Sequence, residues 1–145
     1  MQNLEKLKPL ALLLLRWALG AIFIYHGYPK LFSHTQETMQ AFAHMGFPAY
    51  FAYIAGVLEF FGGFLLIVGL FTRVTGLLLA GEMVVALWRV HMFFANPLAV
   101  NNYQFPLMMA VGSFTLVAIG AGAISFDHAL FREGRKAPRK PKNKD

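Results

Sequence analysis

Four apolar stretches, each long enough to cross a bilayer, dominate this chain and leave few folds open to it. They run over residues 9–32, 49–71, 74–94 and 103–124. A helix rises about 1.5 Å per residue, so some twenty residues traverse a hydrocarbon core of about 30 Å. Backbone in hydrocarbon must satisfy its own hydrogen bonds, and a helix does so within one segment. The expected class is therefore all-α, an integral membrane four-helix bundle. Composition agrees: 57% of the 145 residues are hydrophobic and 14% are charged, against about 25% charged in soluble domains.

The connections follow from breakers and polar runs. Residues 33–48 carry His34, Glu37 and His44, and predict a loop with a short surface helix from Gln36 to Met45. Thr72-Arg73 predicts a tight turn, and Asn96-Pro97 with Asn101-Asn102 a second loop. Ser125 and Asp127 read as caps of a short helix outside the membrane. Residues 1–130 then form one four-span domain, and 131–145 a disordered basic tail. Lys6 and Lys8 precede the first run, and Ala18-Leu19-Gly20 loosely resembles a cleavage site. Arg16 interrupts that run and apolar character continues through Tyr25, so an uncleaved first helix is expected.

Charge sets the orientation. Seven of the thirteen Lys and Arg residues lie between Arg132 and Lys144. After four spans, such a tail is read as a partner of anionic lipid and not of nucleic acid. Lys6, Lys8, Arg73 and the tail fall on one side, which places both termini in the cytoplasm. Tyr28, Tyr50, Tyr53 and Tyr103 fall near the opposite boundary, as an aromatic belt would. The chain has no cysteine, which excludes disulfides, thiolate metal sites and dithiol chemistry. Any redox role must use a bound cofactor or another subunit.

Charges inside the spans are costly, by about 2.5–3.5 kcal/mol each on insertion scales, and normally face the bundle interior in pairs. Here they are Arg16, Glu59, Glu82 and Arg89, with His26 and Lys30 near one end. Helical spacing puts Arg16, Gly20, Phe23, Gly27 and Lys30 on one face, with His26 beside it. Ala52, Ala55, Gly56, Glu59, Gly62 and Gly63 share a small-residue face suited to close packing. Thr75, Glu82 and Arg89 share a third, and Gln104, Met108, Val111, Thr115 and Gly122 a fourth.

Depth then suggests partners. Glu59 lies about 15 Å, and Arg89 about 8 Å, from the outer ends of their segments. These two form the expected outer cluster with His26, Lys30 and Gln104, a candidate ligand or proton site. Arg16 and Glu82, about 9 and 12 Å from the cytoplasmic end, form an expected structural ion pair. Haem ligation by His26 and His91 is disfavoured, because His91 falls opposite Glu82 and Arg89 on an ideal helix. No metal motif, phosphate loop or hydrolase elbow occurs, and no catalytic residue is assigned.

These residues resemble the DoxX family of small bacterial membrane proteins. The resemblance rests first on Arg16-Trp17-Ala18-Leu19-Gly20 followed by His26-Gly27-Tyr28-Pro29-Lys30-Leu31-Phe32. Its most specific stretch is Ala55-Gly56-Val57-Leu58-Glu59-Phe60-Phe61-Gly62-Gly63 with Gly69-Leu70-Phe71-Thr72-Arg73. The His91 region, Asn102-Tyr103-Gln104-Phe105-Pro106, Gly120-Ala121-Gly122 and Ser125-Phe126-Asp127 complete it, over about residues 10–130. Where the family frequently has a glutamate this chain has Gln104, which removes one ionisable group from the outer cluster.

The family is named for a subunit associated with a terminal quinol oxidase and with thiosulfate:quinone oxidoreduction. Other members are linked to oxidative or thiol stress through complexes with redox enzymes. The resemblance implies a bacterial plasma-membrane protein near quinone redox chemistry, with a redox-protein partner or a homo-oligomer. A quinone is the candidate ligand, its carbonyl oxygens meeting His26, Lys30 or Arg89 while Glu59 handles protons or holds the cations. The competing reading is a non-catalytic scaffold or assembly factor whose buried charges serve packing. A small-solute transporter is a third.

Overall fold

The computed structural model describes residues 5–90 and 100–133. All regular structure among them is helical. Helix α1 spans Lys8–Tyr28 and runs on as a π-helical turn, Pro29–Ser33. Surface helix α2 spans Thr35–His44, and α3 spans Phe51–Val68. Helix α4 spans Thr72–Val85 and also continues as a π turn, Ala86–Val90. Helices α5 (Val100–Ile119) and α6 (Phe126–Glu133) complete the order.

Local chemistry explains the boundaries. Pro9 opens α1, where its missing N–H costs nothing. Pro29 removes a later donor, and the chain widens to a π turn closed by the His34 N–H on the Pro29 carbonyl at 2.8 Å. Gly69, at φ 77°, ends α3 in a left-handed cap. Three residues then separate α3 from α4. The last expected segment ends at Ile119 and not Ile124, because Gly120 and Gly122 take φ of 88° and 81°.

Helices α1, α3, α4 and α5 pack in that order around a closed ring. Adjacent α1 and α3 meet through glycines. A Cβ on Gly20 would sit 2.6 Å from the Gly63 carbonyl oxygen, and one on Gly27 would sit 2.9 Å from the Gly56 oxygen. The seven-residue spacing on both helices makes one close antiparallel seam. On the other side, Gly76 of α4 admits the Ser113 carbonyl, 2.9 Å from where its Cβ would be. Phe23, Leu66, Leu79 and Leu116 fill the centre.

The fourth face differs from expectation. Gln104, Met108 and Val111 point outward, and Tyr103, Pro106, Met109, Ser113 and Leu116 are buried instead. Packing against α4 decides the rotation of α5, and polarity does not. Tyr103 therefore belongs to the core, whereas Tyr28, Tyr50 and Tyr53 are exposed as a belt requires. Outward-facing Leu14, Phe61, Phe64, Leu77 and Phe114 give the bundle an apolar exterior. Three helices, 8–33, 51–68 and 100–119, are long and apolar enough to cross a membrane. The fourth continuous helix, 72–90, is about 28 Å long and carries Arg73, Glu82 and Arg89.

Candidate functional site

Ionisable side chains gather at two levels of the bundle, in groupings that differ from the expected pairs. At one level of the bundle, Arg16 is 1% exposed and meets no carboxylate directly among the described residues. Its Nε donates to the Leu66 carbonyl at 3.0 Å, Nη1 to those of Ala121 and Ile124 (2.8 Å), and Nη2 to that of Ile67 at 3.4 Å. Those are the carbonyls left open where α3 ends and where the chain leaves α5. A guanidinium, with five N–H groups in a plane, can collect them all. Gly69 leaves the room: a Cβ there would lie 2.8 Å from the Arg16 Cζ.

The charge acting on Arg16 is Asp127. Asp127 accepts from the Phe71 N–H at 2.7 Å and the Thr72 N–H at 2.9 Å, so it caps α4 across the bundle and not its own helix. Phe71 holds a left-handed φ of 50° at that cap. Ser125 caps α6, accepting from the His128 N–H at 3.1 Å. The expected Arg16–Glu82 pair is thus absent, because Arg16 is spent on helix-end carbonyls.

At the opposite level, Lys30 Nζ lies 2.6 Å from Glu59 Oε2, off the line of a directed hydrogen bond. The glycine seam sets a register in which Lys30 is level with residue 53, about 9 Å above Glu59. Helical side chains lean toward their own N-terminus, so in antiparallel helices these two lean toward each other and close the gap. Gly56 lets the Lys30 stem pass: its Cβ would meet that of Lys30 at 2.9 Å. The Glu59 side chain is 4% exposed and that of Lys30 is 22% exposed.

Glu82 joins this group. It feels the charges of both Glu59 and Lys30, and its Oε2 is buried without a hydrogen-bond donor among the described residues. Both helices leave the same short turn, Glu59 ten residues before Gly69 and Glu82 ten residues after Thr72. They therefore sit at one depth, and that arithmetic was available from the sequence.

The other expected members stand apart. Arg89 is exposed and lies over the Phe47 ring, Cζ 5.1 Å from its centroid, and beside Trp88 at 5.7 Å. It tethers the loop between α2 and α3 and makes no ion pair with Glu59. His26 is exposed, with Nδ1 2.9 Å from the Ile22 carbonyl oxygen and its ring 5.0 Å from that of Phe105. Gln104 is exposed on α5. His91 lies outside the described residues. Two carboxylates facing one ammonium can hold a proton or orient a polar ligand, and no group of three metal-ligating side chains forms among the described residues.

The comparisons with known proteins agree with one another. The DoxX family profile matches residues 11–92. The "Putative oxidoreductase CatD" of Bacillus subtilis is 32% identical over 86% of this chain and 89% of its own. An uncharacterized protein of Haemophilus influenzae is 34% identical over 92% of this chain and all of its own. The inner membrane protein YqjF of Escherichia coli is 34% identical over 88% of this chain and 97% of its own. No solved structure matches the chain. With its helical bundle, its apolar exterior and these relatives, the chain belongs to the DoxX family of membrane proteins.

Proposed function

We propose that this protein is an accessory membrane subunit of a quinone-linked oxidoreductase system, and that Lys30, Glu59 and Glu82 form its polar ligand and proton site. The observation that carries the reading is the second carboxylate. One glutamate would suffice to neutralise Lys30, yet Glu82 sits beside the pair with an unpartnered buried oxygen. In hydrocarbon such a group is expensive and marks function by default. The relative named as an oxidoreductase supports the redox setting.

The roles follow from geometry. Lys30, more exposed than the Glu59 it pairs with, donates to a ring carbonyl oxygen. Glu59 orients Lys30, and Glu82 passes protons. Reducing a quinone to a quinol consumes two electrons and two protons. The partner oxidoreductase supplies the electrons, and this chain supplies a proton route.

The test is to measure thermal stability and quinone binding on the same purified variants. Glu82→Gln should leave stability near native, since Oε2 makes no bond, and should abolish quinone-dependent stabilisation. Glu59→Gln should destabilise the protein, by less than the about 3–5 kcal/mol of a fully enclosed pair because Lys30 is partly exposed. The enclosure of Glu59, 3% exposed, favours a second reading, a scaffold whose charges fix helix register. A native protein indifferent to quinone, with Glu82→Gln silent, would establish the scaffold and end the ligand-site reading.

A further inference from the structure

An open groove of about 1100 Å³ lies at the level of the termini, away from the Lys30–Glu59–Glu82 site. Phe71, Ile119 and Phe131 give it apolar walls, and Arg73, Asp127 and His128 are its ionisable groups. Their states differ. Both Asp127 oxygens are turned to the N–H groups of Phe71 and Thr72, and Arg16 acts on its charge from within. The carboxylate is therefore matched. Arg73 is exposed and has no ion pair or hydrogen bond among the described residues. Its guanidinium rests against the Gly120 turn, with Nε 3.3 Å from where a Cβ would be. Among the described residues, the groove thus carries in Arg73 a cation without an anionic partner.

The surroundings are those of a membrane boundary. Arg73 opens α4, and Gly120 follows the last residue of α5, so the groove sits where both helices end. Helix α6 exposes Phe126, Leu130 and Phe131 beside it. A short helix with an uncovered aromatic and aliphatic face belongs in the headgroup and acyl boundary. The basic run begins at Arg132, directly after Phe131. An occupant must therefore combine a monoanionic head with an apolar body.

We propose that this groove binds one anionic phospholipid, with its phosphate diester on Arg73 and the start of its acyl chains against Phe71, Ile119 and Phe131. The guanidinium fork suits two phosphate oxygens, which a neutral zwitterionic headgroup offers less freely. Separation from Glu59 makes the site independent of any quinone role.

The experiment is thermal unfolding of the full-length protein, stripped of lipid in neutral detergent and titrated with phosphatidylglycerol, phosphatidylcholine or inorganic phosphate. Phosphatidylglycerol alone should raise the midpoint of the native protein. Arg73→Gln should weaken that response about fivefold, the equivalent of about 1 kcal/mol per basic residue at a membrane surface. Arg73→Lys should keep part of it, and the tail variant R139Q/K140Q should keep it all. An equal response to phosphatidylcholine would overturn the proposal. So would native affinity in Arg73→Gln, or loss in the tail variant alone. Protection by inorganic phosphate to the same extent would replace the lipid with a free anion.

Discussion

Replacing Arg16 with methionine should be the most damaging single change at the level of the termini. Methionine roughly keeps the stem and removes the guanidinium, leaving the carbonyls of Leu66 and Ala121 without donors in the buried interior. An unsatisfied buried acceptor costs about 1–3 kcal/mol, so two cost about 2–6 kcal/mol. The Ile124 and Ile67 carbonyls are only partly buried and can turn to water, so they add little. Arg16→Lys should recover part of the loss, because one ammonium cannot span four carbonyls. Thermal and denaturant unfolding in detergent would read the difference. A double-mutant cycle with Glu82→Gln separates this account from an Arg16–Glu82 ion pair. With Arg16 on backbone carbonyls, the two effects should add within about 0.5 kcal/mol. A larger coupling, or a methionine variant of native stability, would refute the reasoning.

Three other outcomes follow from the packing and the charges. Gly63→Ala should cost about 1–3 kcal/mol by forcing α1 and α3 apart, since its Cβ would lie 2.6 Å from the Gly20 carbonyl oxygen. Gly81→Ala, with nothing within 4 Å of its Cβ, should be neutral or stabilising by up to about 1 kcal/mol; equal losses in the two variants would discredit the seam. Asp127→Ala should cost about 0.5–2 kcal/mol as a lost helix cap, and hydrogen exchange should quicken at the Phe71 and Thr72 amides; unchanged protection there would contradict the cap. The native chain lacks cysteine, so Glu37→Cys and Arg73→Cys should react with impermeant reagents from opposite sides of the membrane, Arg73→Cys from the cytoplasm, and labelling from one side would disprove the topology.

Much of the architecture was legible because a bilayer admits few solutions. Apolar length predicts the helices, and small-residue spacing predicts a packing face on α3 at Gly56 and Gly63, where α1 brings Gly20 and Gly27. The rotation of α5 was not legible, since a helix amphipathic only weakly has no polar face that packing must respect. Ser113 is brought against α4 by the fit of its carbonyl to Gly76, a property of shape. Partner choice failed for a related reason. Opposite charges at one depth suggested Arg16 with Glu82, but a buried guanidinium can equally serve carbonyls, which no sequence displays. The expected pairing takes the depth of Glu82 from the cytoplasmic end and that of Glu59 from the outer end, so the level that the two share goes uncompared.

The bonds that close the helix ends and the proposed ligand site lie at opposite levels of the bundle. Near the termini three polar side chains close helix ends: Arg16 gathers C-terminal carbonyls, Asp127 caps α4, and Ser125 caps α6. These bonds hold four separate chain segments together and leave Arg73 over. At the opposite level the helices end differently. Both α1 and α4 loosen into π turns, Pro29–Ser33 and Ala86–Val90, and π turns recur at functional sites because they displace side chains from regular register. Lys30 rides on the first of them, and Glu82 lies four residues before the second. A bundle locked at one level tolerates carboxylates and irregular helix at the other, since cooperative packing of α1 with α3 links the two. That asymmetry is the physical reason to seek ligand chemistry at Lys30, Glu59 and Glu82 and stability at Arg16, and it explains why Arg16, the most deeply buried charge among the described residues, is not the one for which a ligand role is proposed.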